Sequence, residues 1–252
     1  MKFFIRNIIY LIVAVIIYFS INIHSQRGHW KQLIQFDGKG YYSYLPAIFI
    51  YHDLHWRFSK EIEKKYYPDG FGYCETFNGD TVNKFFCGTA VAMFPFFAAA
   101  HALTFATDEP SDGFSFWYAI MIVVSSIFYL FVALVFLKRL LLLYEITEKN
   151  VALILLVYVF GTNVFYYVIS EPYLSHIYSF AFVTGFLFFT KKYFIGFELK
   201  NLFLASACLG IVIIIRPVNI LIVASVPFLS GGFQTLKKGV ILFTKNYFSF
   251  LF

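Results

Sequence analysis

Five ionisable residues of this chain stand at the margins of long apolar runs or in the polar stretch beside one: Asp37, Lys84, Glu171, His176 and Arg216. Ionisable groups are expensive in such places, so they are functional candidates by default. Their types fit one kind of chemistry. A carboxylate of suitable pKa and reach takes a proton from an attacking group, and guanidinium and ammonium groups hold phosphate. Two carboxylates, a histidine and two cations on one surface would therefore bind a phosphate-bearing ligand and activate a nucleophile. Asp37 opens the stretch Asp37-Gly38-Lys39-Gly40-Tyr41-Tyr42-Ser43-Tyr44-Leu45-Pro46. It offers a carboxylate, flexible glycines and tyrosine hydroxyls at a water boundary, with Tyr41 and Tyr42 as substrate-positioning groups.

Each of these residues also has an ordinary reading. Asp37-Gly38 makes a turn satisfied by its own backbone, and Glu171-Pro172 ends a helix. His176 caps or packs, and Arg216 before Pro217 snorkels to an interface. Asn163 reads as an interhelical hydrogen-bond contact, while His52 and His55 read as interfacial polar residues. None is a strong motif alone. The argument for a site rests on whether the chain brings them to one face.

The elements that must do so are membrane helices. Of 252 residues, 60% are hydrophobic and 13% charged, about half the charge of a soluble domain, and the mean hydropathy is +0.72. The 35 Phe suit lipid and interhelical packing, and the 19 Tyr suit interfaces. The formal charge of +6 does not point to nucleic acid. The basic residues come in pairs at the ends of apolar runs, as cytoplasmic anchors do. Cys74, Cys87 and Cys208 form no CxxC or Cys/His ligand spacing, which argues against structural zinc. Cys74 and Cys87, in or beside one polar loop, leave a disulfide or two free thiols open.

The expected fold is all-α: a polytopic transmembrane bundle, one module over 1–252, with a large first external loop carrying interfacial helices. Residues 1–23 form an uncleaved first span with a cytoplasmic N-terminus, since no small-residue cleavage site follows the apolar run. Residues 24–113 form the external loop. It carries a surface helix at about 41–54, limited by Pro46, a solvated charged run at 60–65, and turns at Pro68-Asp69-Gly70 and Asn78-Gly79-Asp80.

Residues 85–105 are long and apolar enough to span. If they cross, the pairs Lys138-Arg139, Lys191-Lys192 and Lys237-Lys238 all fall outside; if they stay external, broken near Pro95, all three fall inside. The second assignment is preferred. Spans then follow at about 114–137, 151–169, 177–189, 202–215 and 220–233, and 239–252 reads as the start of another, cut off. On this topology Asp37, Lys84, Glu171, His176 and Arg216 share the external face.

The order of an N-terminal span, an acidic residue before a Tyr-rich surface helix, a second external apolar helix and an acidic residue at the next external turn resembles the GT-C superfamily of membrane glycosyltransferases. That superfamily includes protein O-mannosyltransferases and lipid A aminoarabinose transferases. The stretches DGKGYYSYLPAIFIYHDL, GTNVFYYVISEPYLSHIYSF and IIIRPVN are similar to Bacteroidetes-type members, and the likeness covers about 1–235. The resemblance implies a bacterial inner-membrane enzyme that moves a sugar from a polyprenyl-phosphate-linked donor to an acceptor at the external face. It implies Asp37 as general base, acceptor-positioning or metal-associated group, and Glu171 with His176 as the second acidic site, positioning substrate or a divalent cation. Lys84 and Arg216 become the donor-phosphate ligands. Two features depart from the pattern. The first motif is Asp-Gly in place of Asp-Glu, and the later spans and C-terminal external domain are missing. The rival readings are a transporter or flippase subunit for a lipid-linked or anionic solute, which would favour internal repeats, and an inactive truncated fragment.

Overall fold

The computed structural model describes residues 2–24, 29–67, 74–78 and 80–251. The chain is mostly helical. Helices α1 (Lys2–Arg6) and α2 (Ile8–His24) lead to a 3₁₀ turn at His29–Gln32, then to α3 (Asp37–Tyr42), α4 (Tyr44–Phe49) and α5 (Ser59–Tyr66). Strands β1 (Cys74–Phe77) and β2 (Asp80–Asn83) pair antiparallel. Helices α6 (Gly88–Thr107), α7 (Phe116–Leu143), α8 (Glu148–Phe160), α9 (Val164–Ile169), α10 (Ser175–Gly196) and α11 (Leu199–Ile215) follow. The chain ends in a 3₁₀ stretch (Pro217–Ser225), α12 (Val226–Ser230) and α13 (Phe233–Leu251). Two helices, α6 and α7, are long and apolar enough to cross a membrane, or three if the bent pair Pro217–Ser230 and Phe233–Lys245 counts as one span.

Helix α7, 28 residues long, is the axis on which the rest is hung. The start of α2 lies beside its far end, where Lys138 Nζ donates to the Arg6 carbonyl at 3.2 Å. Helix α10 runs alongside α7 in the same direction: Ser125 meets the Tyr178 hydroxyl at 2.7 Å, and Lys191 lies over the Tyr144 ring at 4.6 Å. Helix α11 returns antiparallel, closing with Arg216 on Ser175. One end of the assembly therefore gathers Arg6, Lys138, Lys191 and Lys192; the other gathers α3, α4, the 108–115 turn, the 170–174 turn and Arg216. Two apolar cores match this division. Tyr42, Leu45, Trp56, Phe97, Phe114, Tyr118 and Tyr178 fill the polar-end core, and Ile12, Ile16, Leu130, Leu134, Leu155 and Val168 join α2, α8 and α9 to α7.

Several expectations are corrected here. The chain is mostly helical as expected, with a small two-stranded hairpin, β1–β2, added in the first loop. Its turn begins at Asn78, whose φ of 50° is the left-handed conformation that Asn tolerates. The surface helix at 41–54 is instead two short helices, α3 and α4, which begin at Asp37 and bury Tyr42, Leu45, Pro46 and Ala47. Those side chains are apolar enough to make a core of their own with α6 and α7, so they do not lie on a surface. Pro46 stands in the first turn of α4, where it limits the helix to the residues that follow and parts it from α3 at Ser43.

Helix α6 is not broken near Pro95 but continues through it, and the Tyr129 hydroxyl donates to the nearby Ala92 carbonyl at 2.8 Å. Both ends of α6 lie at the polar end: Gly88 presses on the backbone of Ile214 and Ile215, and Thr107 accepts from Trp117 Nε1 at 2.7 Å. The run 60–65 is a helix, α5, with Ile62 buried. The expected span 151–169 is interrupted at 161–163, between α8 and α9. The expected return span 220–233 begins in 3₁₀ and continues in the short α12, and α13, which contains the start of the supposed further span, turns from that pair by 120°. The Pro68-Asp69-Gly70 turn lies outside the described residues.

Candidate functional site

Helix α3 is positioned by its glycines. A Cβ on Gly38 would overlap the Tyr173 ring, and one on Gly40 would overlap the Phe85 ring. The two glycines are thus close-approach residues, with α3 wedged between the 170–174 turn and the segment leading into α6; they are not flexible joints. Asn83 Nδ2 adds a bond to the Gly40 carbonyl at 2.8 Å. The wedge leaves Asp37 exposed at the first position of α3, following Phe36 at φ 47°.

The 170–174 turn carries the second carboxylate. Glu171 accepts from the Tyr166 hydroxyl at 3.1 Å. Tyr173, 4% exposed, lies within the fields of both acids. Burial first, then Glu171, Tyr166 and Asp37, holds its phenol well above the usual range. Asp37 and Glu171 therefore face one buried tyrosine from opposite segments of the chain.

Helix α10 begins immediately afterwards. Its first residue, Ser175, is fully buried and accepts from Arg216 Nε at 2.7 Å. That bond fixes the guanidinium at the junction of α11 and the 3₁₀ stretch. His176, next on α10 and just ahead of the apolar run, stacks on Tyr167 with ring centroids 4.1 Å apart and planes 17° from parallel. Burial, and then the Arg216 charge, lowers its pKa, so the imidazole is neutral at pH 7 and offers one donor and one acceptor.

The structure brings Asp37, Glu171, His176 and Arg216 to one end of the molecule, linked through Tyr173 and Ser175. It treats the others differently. Lys84 is exposed and pairs with Glu75 of β1 at 3.6 Å. Tyr42 is a core residue, 1% exposed, whose hydroxyl donates to the Gly113 carbonyl at 2.6 Å. Tyr41 is 7% exposed and packs edge-on against Phe85, centroids 4.9 Å apart. Tyr42 presents no hydroxyl at a water boundary, so its substrate-positioning assignment is corrected; both rings are buried and anchor α3. Among the described residues no three His, Cys, Asp or Glu side chains gather as metal ligands. The residues present do not fit the divalent cation expected at Asp37 or Glu171–His176. Cys74, Cys87 and Cys208 are free thiols.

Sequence reasoning passed over Tyr173 and Ser175, which couple the named groups, although both stand in the quoted stretch EPYLSH. It also passed over Lys39, 3% exposed, whose ammonium lies 4.1 Å from the Tyr67 ring centre. Desolvation lowers its pKa, opposed by the Glu63 charge. Asp112, in the 108–115 turn, was not singled out either. It accepts from Lys65 Nζ at 2.7 Å, the Tyr66 hydroxyl at 2.6 Å, and the backbone N–H of Phe114 and Ser115 at 2.9 and 3.1 Å. Compared with known protein families, characterised proteins and solved structures, the chain matches none.

Proposed function

We propose that this chain is a membrane glycosyltransferase that moves a sugar from a polyprenyl-phosphate-linked donor to an acceptor at its polar end, with the basic end cytoplasmic. The observation that supports this most is the gathering of Asp37, Glu171, His176 and Arg216, from three segments of the chain, at the end opposite Lys138 and Lys191. In the reaction, an acceptor hydroxyl attacks the anomeric carbon and loses its proton to the Asp37 carboxylate. The bond from that carbon to the phosphate oxygen breaks, and its electron pair leaves on the phosphate. Arg216, held through Nε by Ser175, turns its free amino edge to that growing charge. Lys84 adds long-range attraction. Neutral His176 hydrogen-bonds the sugar, and Glu171 orients the acceptor. The reaction would run in a bacterial inner membrane with the N-terminus inside, among membrane lipids and without nucleic acid.

One observation favours the transporter or flippase reading: the helix break between α8 and α9, a feature of transport folds. Labelled-sugar transfer from polyprenyl-phosphate donors in membranes separates the two. Loss of a general base costs about 10²–10⁴-fold, so Asp37→Asn should fall by that factor and Arg216→Ala by a comparable one. Transfer at the wild-type rate in both variants refutes the assignment.

A further inference from the structure

The basic end, opposite the candidate site, has a cavity of its own. A space of about 330 Å³ lies between the α1–α2 junction and the second half of α7, where Arg6 and Tyr10 face Phe131, Val135, Lys138 and Arg139. Phe131, Val135 and Lys138 fall on one stripe of α7, and Arg6 and Tyr10 stand four apart on the facing segment. The two segments run antiparallel, so the lining is ordered by depth. Tyr10 meets the Phe131 ring, centroids 6.1 Å apart, and Lys138 Nζ donates to the Arg6 carbonyl at 3.2 Å. The helical rise from Phe131 to Lys138 puts the aromatic floor about 10 Å from the cationic rim.

Three cations share that rim, and their charge is not neutralised from within the chain. The ion pairs formed among the described residues, Lys65 with Asp112 and Lys84 with Glu75, lie elsewhere, and none of Arg6, Lys138 and Arg139 pairs with a described carboxylate. Anchoring at the cytoplasmic surface asks only for basic residues near helix ends. It does not ask for three of them around one cavity whose remaining walls are apolar and aromatic. A positive rim above an apolar groove complements an anionic head carried on an apolar tail. Basic pockets between membrane helices on the cytoplasmic side take phospholipid head groups, and guanidinium offers the planar fork that phosphate oxygens accept from.

We propose that this cavity holds an anionic diacyl phospholipid of the cytoplasmic leaflet, its phosphate among Arg6, Lys138 and Arg139 and one acyl chain running past Val135 to Tyr10 and Phe131. The bound lipid ties the first span to α7 and takes no part in the chemistry at the other end. The proposal rests on the membrane placement given above and not on sugar transfer.

The test uses the full chain in phosphatidylcholine nanodiscs doped with phosphatidylglycerol, cardiolipin or polyprenyl phosphate, and native mass spectrometry counts the lipids kept. Each basic residue near the surface strengthens anionic-lipid binding about fivefold. Arg6→Gln, Lys138→Gln and Arg139→Gln together should therefore weaken retention of phosphatidylglycerol or cardiolipin roughly 100-fold. Val135→Trp fills the apolar wall without changing charge and should expel the lipid as well. Lys192→Gln, Lys237→Gln and Lys238→Gln together remove the same charge from the same end, away from the cavity, and should keep it. A cooperative unfolding transition in phosphatidylcholine alone shows that each variant is folded. Retention of phosphatidylglycerol or cardiolipin that the rim variant and Val135→Trp both lose supports the proposal and says which lipid is held. Retention untouched by either of those two variants, equal loss from the control triple, phosphatidylcholine or polyprenyl phosphate held as tightly, or displacement of the lipid by inorganic phosphate overturns it. Labelled-sugar transfer is scored on the same discs. Lipid retention without transfer keeps this site and removes the enzyme; transfer without retention does the reverse.

Discussion

Asp112 is the residue whose loss should be felt farthest from where it stands. Its carboxylate joins α5 to the start of α7 through Lys65, Tyr66 and two backbone amides. The same turn receives the Tyr42 hydroxyl on the Gly113 carbonyl and the Tyr51 hydroxyl on the Asp112 carbonyl, so it also fixes α3 and with it Asp37. Asp112→Ala removes all four side-chain bonds. A hydrogen bond to a charged acceptor contributes about 1.5–3 kcal/mol, which applies to the part-buried Tyr66. The two amides, of Phe114 and Ser115 in the turn ahead of α7, contribute about 1 kcal/mol each. The Lys65 pair, half exposed on the lysine side, adds at most about 1 kcal/mol. The expected loss is about 4–5 kcal/mol. Asp112→Asn keeps an oxygen for the amides but turns an NH₂ toward the Tyr66 hydroxyl and the Lys65 ammonium, so it should cost about 2 kcal/mol. Thermal unfolding in detergent micelles reads both. At about 3 °C per kcal/mol for a chain of this size, the midpoint should drop by roughly 12–15 °C for Ala and about 6 °C for Asn. If Ala and Asn shift the midpoint equally, or Ala shifts it by under about 2 °C, the turn does not hold the loop.

Gly38→Ala forces a methyl into the Tyr173 ring and should cost about 1–3 kcal/mol. Tyr173→Ala should absorb most of that cost in the double variant, a coupling read from the four unfolding midpoints; strict additivity would mean that α3 does not press on that ring. Lys39→Met removes an ammonium buried against Tyr67 with no carboxylate within 4 Å among the described residues. Stability should hold or rise by about 1–2 kcal/mol in denaturant titration, and a clear fall would show an ionic role that the structure does not contain. His176 has its folded pKa below the unfolded value, so it favours the folded state above the ordinary histidine range. That contribution is lost as pH falls through about 6.5 and on past the folded pKa. The unfolding midpoint of wild type should drop more than that of His176→Gln between about pH 7.5 and about pH 5.5, and parallel curves would place the titrating group elsewhere.

What could be read ahead of the structure follows from which forces act locally. The apolar runs of α2, α6 and α7 declare themselves, because lipid and core both demand unbroken oil over a full helix length. Asp37, Glu171, His176 and Arg216 declare themselves because charge beside such runs is costly. Glycine and hydroxyl residues carry no such label. Gly38 and Gly40 look like flexible joints until Tyr173 and Phe85 arrive from positions far along the chain, and Ser175 looks like any serine at a helix start until α11 delivers Arg216 to it. Tyr42 fails in the opposite sense. Its hydroxyl suggested a wet surface, yet one buried carbonyl, that of Gly113, is enough to take it into the core. Asn163 shows the remaining limit. A polar residue in an apolar run satisfies itself against a neighbouring helix or opens the run to a ligand, and composition does not distinguish the two. Here Gly161 ends α8 and Asn163 begins α9. The same bond that gives Arg216 its fixed place, Nε to Ser175 at 2.7 Å, ties the end of α11 to the start of α10. Ser175→Ala should therefore weaken phosphate stabilisation by Arg216, read as slower labelled-sugar transfer.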